Sequence, residues 1–128
     1  MKKIFSVVIA VSALALSACG SSSFTTQSAD EFAKTISDTS VVVLDVRTPA
    51  EFASGHIAQA MNIDVEGGAF EQQIASLDKS KTYAIYCHSG RRSANAAKIM
   101  SKAGFTSLYN LDGGVTAWAN AGQQLVVQ

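Results

Sequence analysis

Cysteine and proline are scarce in this chain. Two cysteines and one proline stand among 128 residues. Two cysteines allow at most one bridge, so no disulfide framework holds the fold. No excess of one charge exists either, with ten basic and ten acidic residues. Without a basic surplus, nucleic acid is not an expected partner. No internal repeat occurs. There is no Walker-type phosphate loop and no dinucleotide glycine fingerprint. No His/Cys cluster has metal-ligand spacing, so neither a metal nor another cofactor is expected. The length suits one domain with one core and is short for two.

The first residues read as a leader rather than as fold. Lys2 and Lys3 form a positive start, and Ile4 to Leu16 is apolar but for Ser6 and Ser12. The run is short for a membrane-spanning helix. Leu16-Ser17-Ala18-Cys19 resembles the bacterial lipoprotein box. That resemblance implies removal of residues 1–18, a diacylglycerol on the Cys19 thiol and a membrane as partner. Gly20, where Asp would mark inner-membrane retention, implies an exported protein on the periplasmic face of the outer membrane. An ordinary secreted protein cut near the same place is the alternative. Residues 19–23 are then a lipidated cysteine with a Gly/Ser tether, and residues 24–128 one folded domain. Loss of Lys2 and Lys3 leaves eight basic against ten acidic residues. Capping of Cys19 leaves Cys87 as a lone thiol in an oxidising compartment, a pattern that suggests reactivity.

Strand and helix patterns alternate along the rest. Ser28-Ala29-Asp30-Glu31 is a capping box, and the spacing predicts a helix from Ala29 to about Ser37. Val41 to Leu44 is continuously apolar and β-branched, as in a parallel strand buried on both faces. Thr48-Pro49-Ala50-Glu51 is a second capping box, with Pro in the first turn and Phe52 as the core contact. Met61 to Asp64 reads as a short strand. Phe70, Ile74 and Leu77 predict a helix over about 69–77. Thr82 to Tyr86 and Ser107 to Leu111 read as strands. Helices are predicted over Ala94–Ala103 and Val115–Ala121. The pattern is that of an α/β fold around a mainly parallel sheet.

The chemistry concentrates in Cys87-His88-Ser89-Gly90-Arg91-Arg92-Ser93. It lies between a strand and a helix, on the sheet edge where ligands bind. Helix N–H groups and two arginines there favour the thiolate. His88 is a possible ion-pair partner for Cys87. Asp45 and Arg47 follow the second apolar strand and so share the Cys87 edge; they are read as structural supports. His56 is read as structural rather than as a proton donor.

Four stretches resemble a rhodanese domain over about Phe24 to Gly122. They are Leu44-Asp45-Val46-Arg47 with Glu51-Phe52, then Gly55 to Ile63, then Cys87 to Ser93, then Leu111-Asp112-Gly113-Gly114 with Trp118. Gln59 stands where the family usually has Gly. The resemblance implies a five-stranded, mainly parallel sheet with helices on both faces. It implies sulfur transfer through a Cys87 persulfide, from thiosulfate or a related donor to a thiol or cyanide. His88, Ser89, Gly90, Arg91, Arg92 and Ser93 would surround the substrate, with Asp45, Arg47, Glu51 and His56 in support. A persulfide carrier for a partner protein and a non-catalytic interaction module are the alternatives. A phosphatase on the same fold is disfavoured, because those enzymes have a Cys-x5-Arg loop and Cys87 to Arg92 is one residue shorter.

Overall fold

Ten elements follow one another through residues 23–127, the stretch that the computed structural model describes. In chain order they are β1 (Thr25–Gln27), α1 (Ala29–Ile36), β2 (Val42–Asp45), α2 (Pro49–Ser54), β3 (Met61–Asn62), α3 (Phe70–Ile74), β4 (Thr82–Tyr86), α4 (Arg91–Lys102), β5 (Ser107–Leu111) and α5 (Gly114–Asn120). The leader, Cys19 and Gly20 to Ser22 of the tether lie outside the described residues. No helix among the described residues is long and apolar enough to cross a membrane.

The five strands form one sheet in the order β1-β5-β4-β2-β3, and every pair is parallel. Side chains alternate across a strand, so each strand feeds two cores. Leu44, Tyr83, Ile85 and Cys87 pack with Phe70, Met100 and Phe105 on the face of α3 and α4. Val43, Ala84, Tyr86 and Leu111 pack with Phe32, Val115 and Trp118 on the face of α1 and α5. This double burial explains why β2 and β4 read as unbroken apolar runs.

Both capping boxes form. The Ser28 hydroxyl accepts from Glu31 N–H and the Thr48 hydroxyl from Glu51 N–H, while each Glu accepts from the cap's own N–H. Several expectations change, and β3 ends at Asn62 and α3 at Ile74, short of the expected Asp64 and Leu77. The strand Thr25–Gln27 has no apolar pattern; it exists because it pairs with Tyr109, Asn110 and Leu111 at the sheet's edge. Helix α4 begins at Arg91, three residues earlier than the hydrophobic spacing suggested, so Arg91 to Ser93 are its first turn. Phe52 is not a core contact. It is half-buried and stacks on the His56 ring, with centroids 3.8 Å apart and planes 7° from parallel.

The topology positions the site. From β2 the chain moves outward to β3, and from β4 it crosses to β5 on the other side. The two connections diverge above the carboxyl ends of β2 and β4. Such a divergence leaves a crevice at the sheet's edge. Asp45 pairs in register with Tyr86, so the residues after them, Val46-Arg47 and Cys87-His88, emerge side by side.

Candidate active site

Cys87 follows the last residue of β4, and its thiol is the centre of a small ring of donors. The Gly90 N–H donates to Sγ at 3.0 Å, and the Ser93 hydroxyl lies 3.3 Å from Sγ. Gly90 has φ +98°, a left-handed conformation that turns its N–H back toward the sulfur. Burial pushes the thiol's pKa up. The Ser93 hydroxyl and the N–H groups of Ser93, Gly90 and Ser89 outweigh it, and the thiol titrates below its ordinary value.

The carbonyls of this loop are held on the far side. Val115 N–H donates to Cys87 O at 2.9 Å, and Thr116 N–H and Oγ1 both reach His88 O at 3.4 Å. A trans peptide points its N–H opposite to its C=O. Tying the His88 carbonyl to the start of α5 therefore turns the Ser89 N–H the other way, toward the sulfur. Gly114 makes this possible. A Cβ there would lie 2.4 Å from both the Cys87 and His88 carbonyl oxygens. The part of Gly114 as the seat of the Cys87 loop appears only in three dimensions.

Two ion pairs frame the loop. Arg47 and Asp45 form a buried pair, with Nη2 2.6 Å from Oδ2 and Nε 3.0 Å from Oδ1. Arg47 Nη2 also donates to Gly55 O at 2.7 Å, and the guanidinium lies 5.7 Å from the Tyr86 ring centre. Its Nε and Nη2 are thus occupied, and Arg47 braces the β2 connection. Arg92 grips Glu51 with two parallel bonds, Nη1 to Oε1 at 2.8 Å and Nη2 to Oε2 at 2.9 Å. The Arg92 bonds hold the Glu51 carboxyl down at about 2, against the opposing effect of burial. The Glu51 carboxylate in turn raises Arg92, and the nearby Cys87 thiolate adds to that.

The remaining expected residues divide. His88, Ser89 and Arg91 are exposed at the mouth of the loop. Among the described residues no hydrogen bond joins the His88 ring to Sγ. His56 is buried, with Nδ1 2.9 Å from Phe52 O, and its backbone exchanges two hydrogen bonds with Val126 at 2.9 and 2.7 Å. It ties α2 to the end of the chain. Cys87 itself is 0 % exposed. The loop has closed over it, with the amides aimed inward. Among the described residues no cluster of three His, Cys, Asp or Glu side chains is placed to hold a metal ion.

This arrangement can stabilise a compact anion on Sγ. A ring of N–H groups around one sulfur, with a guanidinium nearby, suits a nucleophilic thiolate. The chain is similar to several known proteins. A sulfurtransferase of Allochromatium vinosum is 35% identical over 86 residues, covering 67% of this chain and 78% of its own length. The thiosulfate sulfurtransferase GlpE of Shewanella oneidensis is 34% identical over 100 residues, or 78% of this chain and 97% of that protein. The crystal structure of a rhodanese-related protein from Thermoplasma volcanium superposes with a TM-score of 0.72 at 30% identity, covering 81% of this chain and 99% of the other. The model of the rhodanese-like domain matches residues 28–121, and with the parallel sheet and the amide-ringed cysteine this places the chain in the rhodanese-like domain family.

Proposed function

We propose that this protein is a sulfurtransferase that carries sulfane sulfur on Cys87, with thiosulfate as a donor. The observation that carries this reading is the convergence of Gly90 N–H and Ser93 Oγ on Sγ, which favours the thiolate. In the first step the Cys87 thiolate attacks the outer sulfur of thiosulfate. A new S–S bond forms, the old one breaks, and sulfite leaves with the electron pair. In the second step an acceptor such as cyanide takes the outer sulfur as thiocyanate and returns the thiolate. The loop amides hold the negative charge on sulfur in both states. Arg91, exposed at the mouth, draws in the dianion.

Intact-protein mass spectrometry after thiosulfate treatment tests the reading. Cys87 gains one sulfur atom, and Cys87→Ser gains none while keeping its circular-dichroism spectrum. A wild-type protein that takes up no sulfur yet hydrolyses an aryl phosphate through Cys87 would move the assignment to a phosphatase. Absence of both activities would leave an interaction module.

The reading of the leader adds a location. The Leu16-Ser17-Ala18-Cys19 box supports a chain that is exported, lipidated on Cys19 and held at the periplasmic face of the outer membrane. Labelled palmitate is expected in the protein made in a bacterial host and lost in Cys19→Ser; equal labelling of the two rejects the anchor.

A further inference from the structure

Charge is spread unevenly over the molecule. With Lys2 and Lys3 of the leader set aside, eight of the ten basic residues remain. Four of these, Arg91, Arg92, Lys98 and Lys102, lie on α4, which carries no acidic residue. Arg92 is engaged by Glu51. Arg91, Asn95, Lys98 and Lys102 are exposed and follow one another at steps of four, three and four residues, so they form one stripe along the helix. Lys98 and Lys102 form no ion pair among the described residues. Lys79 adds a cation just past the end of α4, with Nζ 6.0 Å from the centre of the Phe105 ring. Glu66 shares a groove with Lys98, and Glu71 lines a second hollow with Ile99, so acidic groups bound the stripe on one side. Helix stability accounts for a cation at Lys102, in the last turn, but not for a stripe that runs the length of the helix.

The chain enters the domain at the same place. Ser23 N–H donates to Ser101 Oγ at 3.0 Å, one residue from Lys102, and Phe24 packs against the core on the α4 face of the sheet. Cys19 stands four residues before Ser23. A fully extended tether of that length spans at most about 14 Å, whereas a domain of this size is about 30 Å across. An anchored Cys19 therefore holds the end of α4, rather than the α1 face, next to the bilayer. We propose that the exposed stripe of α4, led by Lys98 and Lys102 and extended by Lys79, rests on the anionic phospholipid headgroups of the membrane that holds Cys19. Lysine suits this partner, since a flexible ammonium group gains from a negative surface potential without needing one fixed geometry. The Cys87 loop opens at the first turn of the same helix, about 10 Å along its axis from Lys98. Sulfur transfer then takes place beside the bilayer. The proposal rests on the anchor reading of Cys19 and is independent of which sulfur donor Cys87 uses.

The test uses the full chain, processed in a bacterial host and reconstituted at low salt into vesicles of phosphatidylcholine alone or of equal parts phosphatidylcholine and phosphatidylglycerol. An amine-acylating reagent is added, and the rate at each lysine is read peptide by peptide by mass spectrometry. Phosphatidylglycerol is expected to slow Lys79, Lys98 and Lys102 roughly fivefold each, and added salt to restore them. Lys34, exposed on α1 behind the opposite face of the sheet, reacts equally fast on both vesicles. Lys98→Glu combined with Lys102→Glu removes the protection of Lys79; both positions are exposed, so the circular-dichroism spectrum is unchanged. Equal rates on the two kinds of vesicle, equal slowing of Lys34, or protection of Lys79 that survives the double substitution overturns the proposal. So does protection of Lys98 and Lys102 in detergent without vesicles, which would assign the stripe to a second copy of the chain. A palmitate-labelled protein without lysine protection sinks the docking alone. A protein that carries no palmitate and floats with neither vesicle sinks the anchor reading and the docking with it.

Discussion

Ser93 shows how one side chain can set the chemistry of another. Its hydroxyl has one proton and two acceptors within reach, Sγ at 3.3 Å and Gly90 O at 3.2 Å. Loss of a bond to a charged group is worth about 1.5–3 kcal/mol, or roughly one to two pKa units. Ser93→Ala is therefore expected to raise the Cys87 pKa, read from thiolate absorbance against pH. The sign follows from the folded-state shift. The thiolate of the wild type persists below the usual thiol range and disappears as pH falls through its lowered pKa. The acid limb of activity moves to higher pH in the variant. An unchanged titration would mean that the backbone amides alone hold the charge.

Gln59 illustrates a different residue-level effect. It has φ +67°, the left-handed region, and is the one non-glycine residue with positive φ among the described residues. A side chain there costs roughly 1–2 kcal/mol. The turn before β3 needs that conformation, which glycine adopts without strain. Gln59→Gly is expected to stabilise the protein by about 1 kcal/mol, seen as a rise in the urea midpoint with unchanged slope.

At the scale of elements, the bond between α2 and α4 stands out. Glu51 closes the capping box of α2 and grips Arg92 in the first turn of α4. One carboxylate thus links the loop after β2 to the loop after β4. Its pKa falls to about 2. A carboxylate depressed on folding contributes fully above its unfolded pKa, near 4.3, and loses that contribution as pH falls toward the folded value. Stability is thus expected to drop between about pH 4.5 and pH 2, and Glu51→Gln to flatten that stretch of the urea-midpoint profile. The pair is partly exposed, so the effect shrinks in salt. A Gln variant with the wild-type acid slope would show that Glu51 is not its source.

The elements also differ in how far their residues announce them. Strands β2 and β4 are legible because both of their faces are covered, which demands an unbroken apolar run. Strand β1 is not, because an edge strand takes its shape from a pairing; Thr26 meets Asn110 across 84 residues. The first turn of α4 escaped the hydrophobic spacing for a functional reason. Arg91 is exposed, Arg92 turns to Glu51 and Ser93 faces the sulfur, so the usual apolar repeat starts only at Ala96.

At the scale of the whole molecule, the site is a product of strand order. Parallel pairing of β2, β4 and β5 brings the Asp45-Arg47, Cys87 and Gly113-Gly114 stretches to one edge of the sheet. The start of α5 then holds the Cys87 and His88 carbonyls, and α4 begins with the donors that face the sulfur. No single element could make the ring alone, because the carbonyls must be tied on one side for the amides to be free on the other.

The amino acids by themselves determined the class of fold, the two capping boxes and the reactive candidate at Cys87. Those features are local: they follow from periodicity, from caps within four residues and from charge next to a thiol. Only the tertiary structure decided that Arg92 belongs to Glu51, that Gly114 seats the loop and that Cys87 is sealed beneath it. Each of these depends on a contact between segments far apart in the chain, whose geometry comes from packing two layers of helices onto one sheet and is written in no single stretch.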